Sequence, residues 1–128
     1  MTRLLLDTCT FVWLVAEPRK LGRAAKKAID AAETLVLSDV TALEVCLKWR
    51  AGKLRLPEPP RRWITEQAEA WHVEWLSLRQ EHMFRASELE PIHADPYDRL
   101  LVAQALSENL RIVTPDEGIA RYPVSTLW

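Results

Sequence analysis

At 128 residues, with 48% hydrophobic and 27% charged side chains, the chain can bury one core and is too short for two. Only 3 glycines and no low-complexity tract argue against disorder. No apolar run approaches the roughly 18 residues of a membrane span. The net charge of −1 hides an asymmetry: residues 1–62 hold 12 Lys/Arg against 7 Asp/Glu, and residues 63–128 hold 5 against 11. A basic half suits a polyanionic ligand.

In chain order, the first predicted element is Leu4-Leu5-Leu6, an unbroken apolar run that fits a central parallel strand and stops at Asp7. The basic-then-apolar start has the outline of a secretion signal, but Asp7 interrupts it, and a cytoplasmic protein is expected. Cys9 and Cys46 lack CxxC spacing, fit a reducing compartment and are expected as small buried hydrophobes. A helix is predicted from Thr10 to Ala16, closed by Pro18, and another from Gly22 to Ala32. Thr34 to Leu37 reads as a second strand. Ala42, Val45, Cys46 and Trp49 then recur at helical spacing between Thr41 and Ala51, with Gly52 just beyond.

Pro57, Pro59 and Pro60 punctuate the chain before a helix marked by Trp63, Ile64, Ala68 and Trp71. Val73 to Leu78 reads as an edge strand, Glu81 to Leu89 as a helix, and His93-Ala94-Asp95-Pro96 as a loop. Asp98 to Glu108 is a strong helix with Asn109 as a left-handed cap. Arg111-Ile112-Val113 is a strand running into Thr114-Pro115-Asp116, and Val124 to Leu127 is the last strand. Most of the 6 tryptophans are expected in the core, although so many amphipathic rings also favour an interface.

Strands alternating with helices imply βαβ units and a parallel sheet, whose functional crevice lies at the carboxyl ends of the strands. Asp7 and Asp116 follow strands directly, while Glu44 and Asp98 are expected in the first turns of helices opening on the same edge. Four converging carboxylates suit a hard cation such as Mg²⁺ or Mn²⁺, which activates water and neutralises charge on a phosphodiester. His72, His82 and His93 show no zinc-ligand spacing with one another or with the cysteines, and no phosphate-binding glycine loop or nucleophile elbow is present. Each acid also has a plain structural reading. Asp7 ends a strand, Thr41-x-x-Glu44 matches a capping box, Asp98 complements a helix dipole, and Asp116 forms a cap or turn.

Taken together these segments resemble the PIN-domain family, and within it the VapC-like toxins of toxin–antitoxin pairs. Leu4-Leu5-Leu6-Asp7-Thr8 is similar to the family's opening strand and first acid, and the segment from Ser38 to Val45 to its second motif. Lys48 and Gly52-Lys53-Leu54 resemble the basic continuation. The run from His93 to Ala105 resembles the HxDPFDRLLIAQA signature of one VapC-like branch, with Tyr97 for Phe and Val102 for Ile. Val113-Thr114-Pro115-Asp116 resembles the fourth motif. Cys9 stands where that branch often has His, and Ile119 where Phe is common.

The resemblance implies one PIN-like α/β domain over residues 1–128, a central parallel sheet flanked by helices. It implies that Asp7, Glu44, Asp98 and Asp116 bind Mg²⁺, with Mn²⁺ as substitute, and hydrolyse RNA phosphodiesters with metal-activated water. Thr114 falls near the metal, and Asp95 is either an outer partner or a cap. The implied partners are RNA, a small antitoxin and a second copy of the chain in a homodimer, with no membrane. Two rivals stand beside this reading: a metal-dependent phosphatase of small esters, which usually carries a second Asp where Cys9 lies, and a non-catalytic PIN-like RNA-binding module.

Overall fold

The computed structural model describes residues 2–128. Five strands, β1 (Arg3–Leu6), β2 (Thr34–Ser38), β3 (Glu74–Leu76), β4 (Arg111–Val113) and β5 (Thr126–Leu127), alternate with helices. The helices are α1 (Thr8–Ala16), α2 (Arg23–Ala31), α3 (Asp39–Arg50), α4 (Pro60–Ala70), α5 (Gln80–Glu88), α6 (Pro96–Glu108) and α7 (Glu117–Ala120), with a single 3-10 turn at Pro18–Lys20. All four strand pairings are parallel, in the order β3-β2-β1-β4-β5. The expected α/β domain with a central parallel sheet is what the chain forms.

Alternation along the strands splits the core into two layers. Leu4 and Leu6 of β1, Leu35 and Leu37 of β2 and Val113 of β4 face one side, against Phe11, Ala25, Ile29, Val45 and Trp63. Leu5, Val36 and Ile112 face the other, against Val40, Leu101, Val102 and Ile119. Each such side chain, fully buried, contributes roughly 1.5–3 kcal/mol, which is why β1 is leucine throughout its centre.

Several elements depart from expectation. α3 starts at Asp39, two residues before Thr41, because Ser38 caps it through Oγ on the Val40 N–H at 2.9 Å. Thr41 therefore caps nothing; it is buried and its hydroxyl meets that of Thr8 at 3.0 Å, tying α3 to α1. The tryptophans are less internal than expected: Trp63 is core, whereas Trp49, Trp71 and Trp75 are exposed. Cys46 is exposed and Cys9 half-buried, so neither is a fully buried hydrophobe. Asn109 does adopt the left-handed cap, at φ 54° and ψ 50°. No helix among the described residues is long and apolar enough to cross a membrane.

Candidate active site

The chain runs β1, β2, β3 to one side and then returns to place β4 against the other side of β1. That reversal opens a crevice above the carboxyl ends of β1 and β4. Asp7 leaves β1 and caps α1, its Oδ1 accepting from the Thr10 N–H at 2.8 Å. Asp116 follows β4 and caps α7 through Oδ1 on the Ile119 N–H at 3.0 Å. Thr114 links them: its hydroxyl donates to Asp7 Oδ2 at 2.5 Å and accepts from the Asp116 N–H at 3.0 Å. Asp98 sits in the first turn of α6, whose cap is Asp95, with Oδ1 accepting from the N–H groups of Tyr97 and Asp98 at 2.8 and 3.2 Å. Capping and clustering therefore coincide, because the helix N-termini bring both their dipoles and their acids to the same edge.

Glu44 lies deeper in α3 than the first turn where it was expected, which removes its capping-box reading. It is 5% exposed, its Oε2 accepts from Lys48 Nζ at 2.5 Å, and its Oε1 is a buried oxygen without a partner among the described residues. The fields of Glu44, Asp95 and Asp98 all act on Lys48, and those of Asp7, Glu44 and Asp98 on Cys9, which ties Glu44 to the same cluster. The helices are braced by Gln104 of α6, which accepts from Ser38 Oγ at 2.5 Å and donates to the Ser77 carbonyl at 3.3 Å.

The electrostatics follow from crowding. Burial, then the charges of Asp95 and Asp116, push Asp98 up to about 7, with His93 opposing them. Burial likewise raises Asp7 despite its bonds from Thr10 and Thr114. For Asp116 burial acts upward, but the Ile119 N–H and His93 outweigh it and hold the carboxyl below its ordinary value. The hydrogen bond to Glu44 raises Lys48, and burial pushes the Cys9 thiol up to about 12.

His93 was not foreseen as part of this cluster. Its Nε2 lies 3.0 Å from Asp98 Oδ2 and 3.2 Å from Asp116 Oδ1, and the three residues are close enough to share one ion. The Asp95 N–H donates to Nδ1 at 3.2 Å, which leaves the ring proton on Nε2, directed at the two carboxylates. A ring in that tautomer donates to the acids and ligates only after shifting its proton. Gly118 makes room for it, since a Cβ there would lie 2.6 Å from His93 Cδ2. The loop before α6 is held by Arg99, whose guanidinium donates to the carbonyls of Ala86, Leu89 and Glu90 at 2.7, 3.1 and 3.0 Å and to the Tyr122 hydroxyl at 3.1 Å. That hydroxyl accepts from the His93 N–H at 3.0 Å. The histidine was missed because its partners lie 5 and 23 residues away, a spacing that matches no metal motif.

The donor set fits a divalent cation. His93, Asp98 and Asp116 are the residues the structure brings within reach of one ion, whereas Asp7 is bonded to Thr10 and Thr114, and Glu44 Oε1 is a buried acceptor without a partner among the described residues.

Comparison with known proteins agrees with this architecture. The family model described as PIN domain matches residues 4–124. Ribonuclease VapC22 of Mycobacterium tuberculosis is 31% identical over 133 residues, covering all of both chains. Among solved structures, VapBC2 from Rickettsia felis bound to a DNA fragment from its promoter superposes with a TM-score of 0.71 at 15% identity, covering 98% of each chain. DNA-bound VapBC from Salmonella typhimurium does so at 0.71 and 18% identity, covering 99% of this chain and 98% of that one.

Proposed function

Because this chain belongs to the PIN-domain family and resembles its VapC-type toxins, we propose that it is a Mg²⁺- or Mn²⁺-dependent endoribonuclease, one domain over residues 1–128. The observation that carries this reading is the cluster of side chains at the carboxyl edge of β1 and β4. Asp98 and Asp116 share His93 Nε2 at 3.0 and 3.2 Å, Asp7 is joined to the Asp116 backbone through Thr114, and Glu44 offers a buried oxygen with no partner among the described residues. Asp7, Glu44, Asp98 and Asp116 are the proposed ligands. The relative named a ribonuclease supports RNA as the substrate.

When bound, the ion supplies charge neutralisation on the phosphodiester and makes water a stronger acid. The chain's own residues do the rest. Thr10 and Thr114 fix both oxygens of Asp7, so its carboxylate has no rotation left to lose when a ligand arrives. His93 steadies Asp98 and Asp116 through Nε2. Asp98, in the first turn of α6 beside Asp116 and His93, would take the proton from an attacking water.

The reading includes a partner. The apolar groove between α3 and α4, lined by Ala42, Cys46, Ile64 and Trp75 with Leu43 and Leu47 exposed on the same helix, offers surface for an antitoxin helix. The toxin–antitoxin complexes among the similar folds favour that assignment. A homodimer is the expected state of the free chain.

The test is cleavage of labelled RNA beside hydrolysis of a generic phosphate ester, each with Mn²⁺ and with EDTA. RNA alone should be cut, only with metal, and Asp98→Asn should lose at least about a hundredfold in rate. Ester hydrolysis without RNA cleavage would make it a phosphatase. Metal-independent binding of RNA with no cleavage would make it a binding module.

A further inference from the structure

Three of the four acids are satisfied by the fold. Asp7 accepts from Thr10 and Thr114, Asp116 from Ile119 and His93, and Asp98 from His93. Glu44 instead depends on a partner at the solvent boundary. Its carboxylate is buried, yet among the described residues the one group on it is the ammonium of Lys48, whose side chain is 43% exposed. An i,i+4 Glu–Lys pair on an open helix surface contributes little to stability. This pair differs because one member is inside: without Lys48, an unpaired charge is left buried, and the cost falls on the fold. The lysine meanwhile stands where a divalent ion brought to Glu44 Oε1 feels its repulsion at close range.

We propose that Lys48 is the resident counter-cation of the crevice: it occupies Glu44 while no ion is bound, yields Glu44 to the ion, and then contacts a phosphate of the substrate. The exchange needs no backbone movement, since Lys48 lies within α3 and its stem already extends to solvent. A freed ammonium at the rim, beside a neutralised acid cluster, has a phosphodiester oxygen as its natural acceptor. The inference rests on the metal-nuclease reading and adds a substrate-contacting residue to it.

The experiment compares wild type, Lys48→Gln and Lys48→Arg by calorimetric titration with Mn²⁺, by thermal melts in EDTA, and by KM for a labelled RNA across salt. Lys48→Gln should melt at least about 3 °C lower in EDTA, yet bind Mn²⁺ at least about threefold more tightly, because the repelling charge is gone. Its KM should rise, with the salt slope shallower by about 0.7. Lys48→Arg keeps the charge and should follow wild type in each measurement. A surface ion pair moves none of these together. Unchanged or weaker Mn²⁺ binding by Lys48→Gln, an unchanged salt slope, or Lys48→Arg behaving like Lys48→Gln overturns the proposal while leaving the nuclease intact. A wild type that binds no Mn²⁺ and cuts no RNA overturns the nuclease reading, and this inference with it.

Discussion

Asp98 shows how position sets chemistry. An aspartate ordinarily titrates near 3.8, and burial beside Asp95 and Asp116 moves this one to about 7. Folding therefore raises its affinity for a proton. Between these two values the folded state binds more protons than the unfolded, so metal-free stability falls as pH rises through that window and stays low above it. Thermal melts in EDTA from pH 4 to 8 should show wild type losing stability more steeply than Asp98→Asn. The mutant should be the more stable of the two at pH 8 by at least about 3 °C, the shift that roughly 1 kcal/mol gives in a domain of this size. Parallel curves would mean the acids are not crowded. Asp7 tests the same repulsion with its cap kept constant. Asparagine caps as well as aspartate, so Asp7→Asn should be at least as stable as wild type in EDTA, whereas Asp7→Ala loses the bonds from Thr10 and Thr114 and roughly 1–3 kcal/mol. Mn²⁺ should reverse the first order, raising wild type by about 2.7 kcal/mol at a hundredfold excess over Kd and leaving Asp7→Asn where it was. A mutant far below wild type in EDTA, with neither protein responding to Mn²⁺, would reduce Asp7 to a cap.

At the scale of elements, long periodic segments were legible and short or ambiguous ones were not. The helices around Val45 and Leu101 announce themselves by spacing, whereas α7 has four residues, fewer than periodicity needs. The start of α3 misled because Ser38 and Thr41 are both good caps, and only the strand ending at Ser38 decides between them. Asp95 was left between an outer partner and a cap; it caps α6 and also adds to the field on Asp98. What no local pattern reveals is the loop before α6, whose shape depends on carbonyls gathered by Arg99. Replacing Arg99 by Met should cost about 1.5–3 kcal/mol, since charge-assisted bonds to three carbonyls, part-buried or exposed, are lost at once. Hydrogen exchange should quicken across residues 89–95 while β1 and β2 stay protected. Uniform loss of protection would place Arg99 in the general scaffold instead of the loop.

The whole molecule carries its charge unevenly, and the alternating pattern that disclosed a parallel sheet did not disclose that β4 joins β1 on the side away from β2. Four of the carboxylates could be nominated from strand ends and helix starts, but their distances depend on that long-range return. Opposite charges divide the labour: acids gather at the sheet edge, while Lys48, Arg50, Lys53 and Arg55 follow one another through and beyond the end of α3. If RNA follows that basic run, Lys53→Ala and Arg55→Ala combined should lower the salt slope of RNA binding by roughly 1.4, two contacts at about 0.7 each. An unchanged slope would route the strand elsewhere. The return of β4 has one further consequence. The hydroxyl that locks Asp7 comes from Thr114, 107 residues later, and Asp116 lies later still. Asp7 is therefore locked only once β4 has paired with β1, so the acids come together with the long-range fold and not with any local segment of the chain.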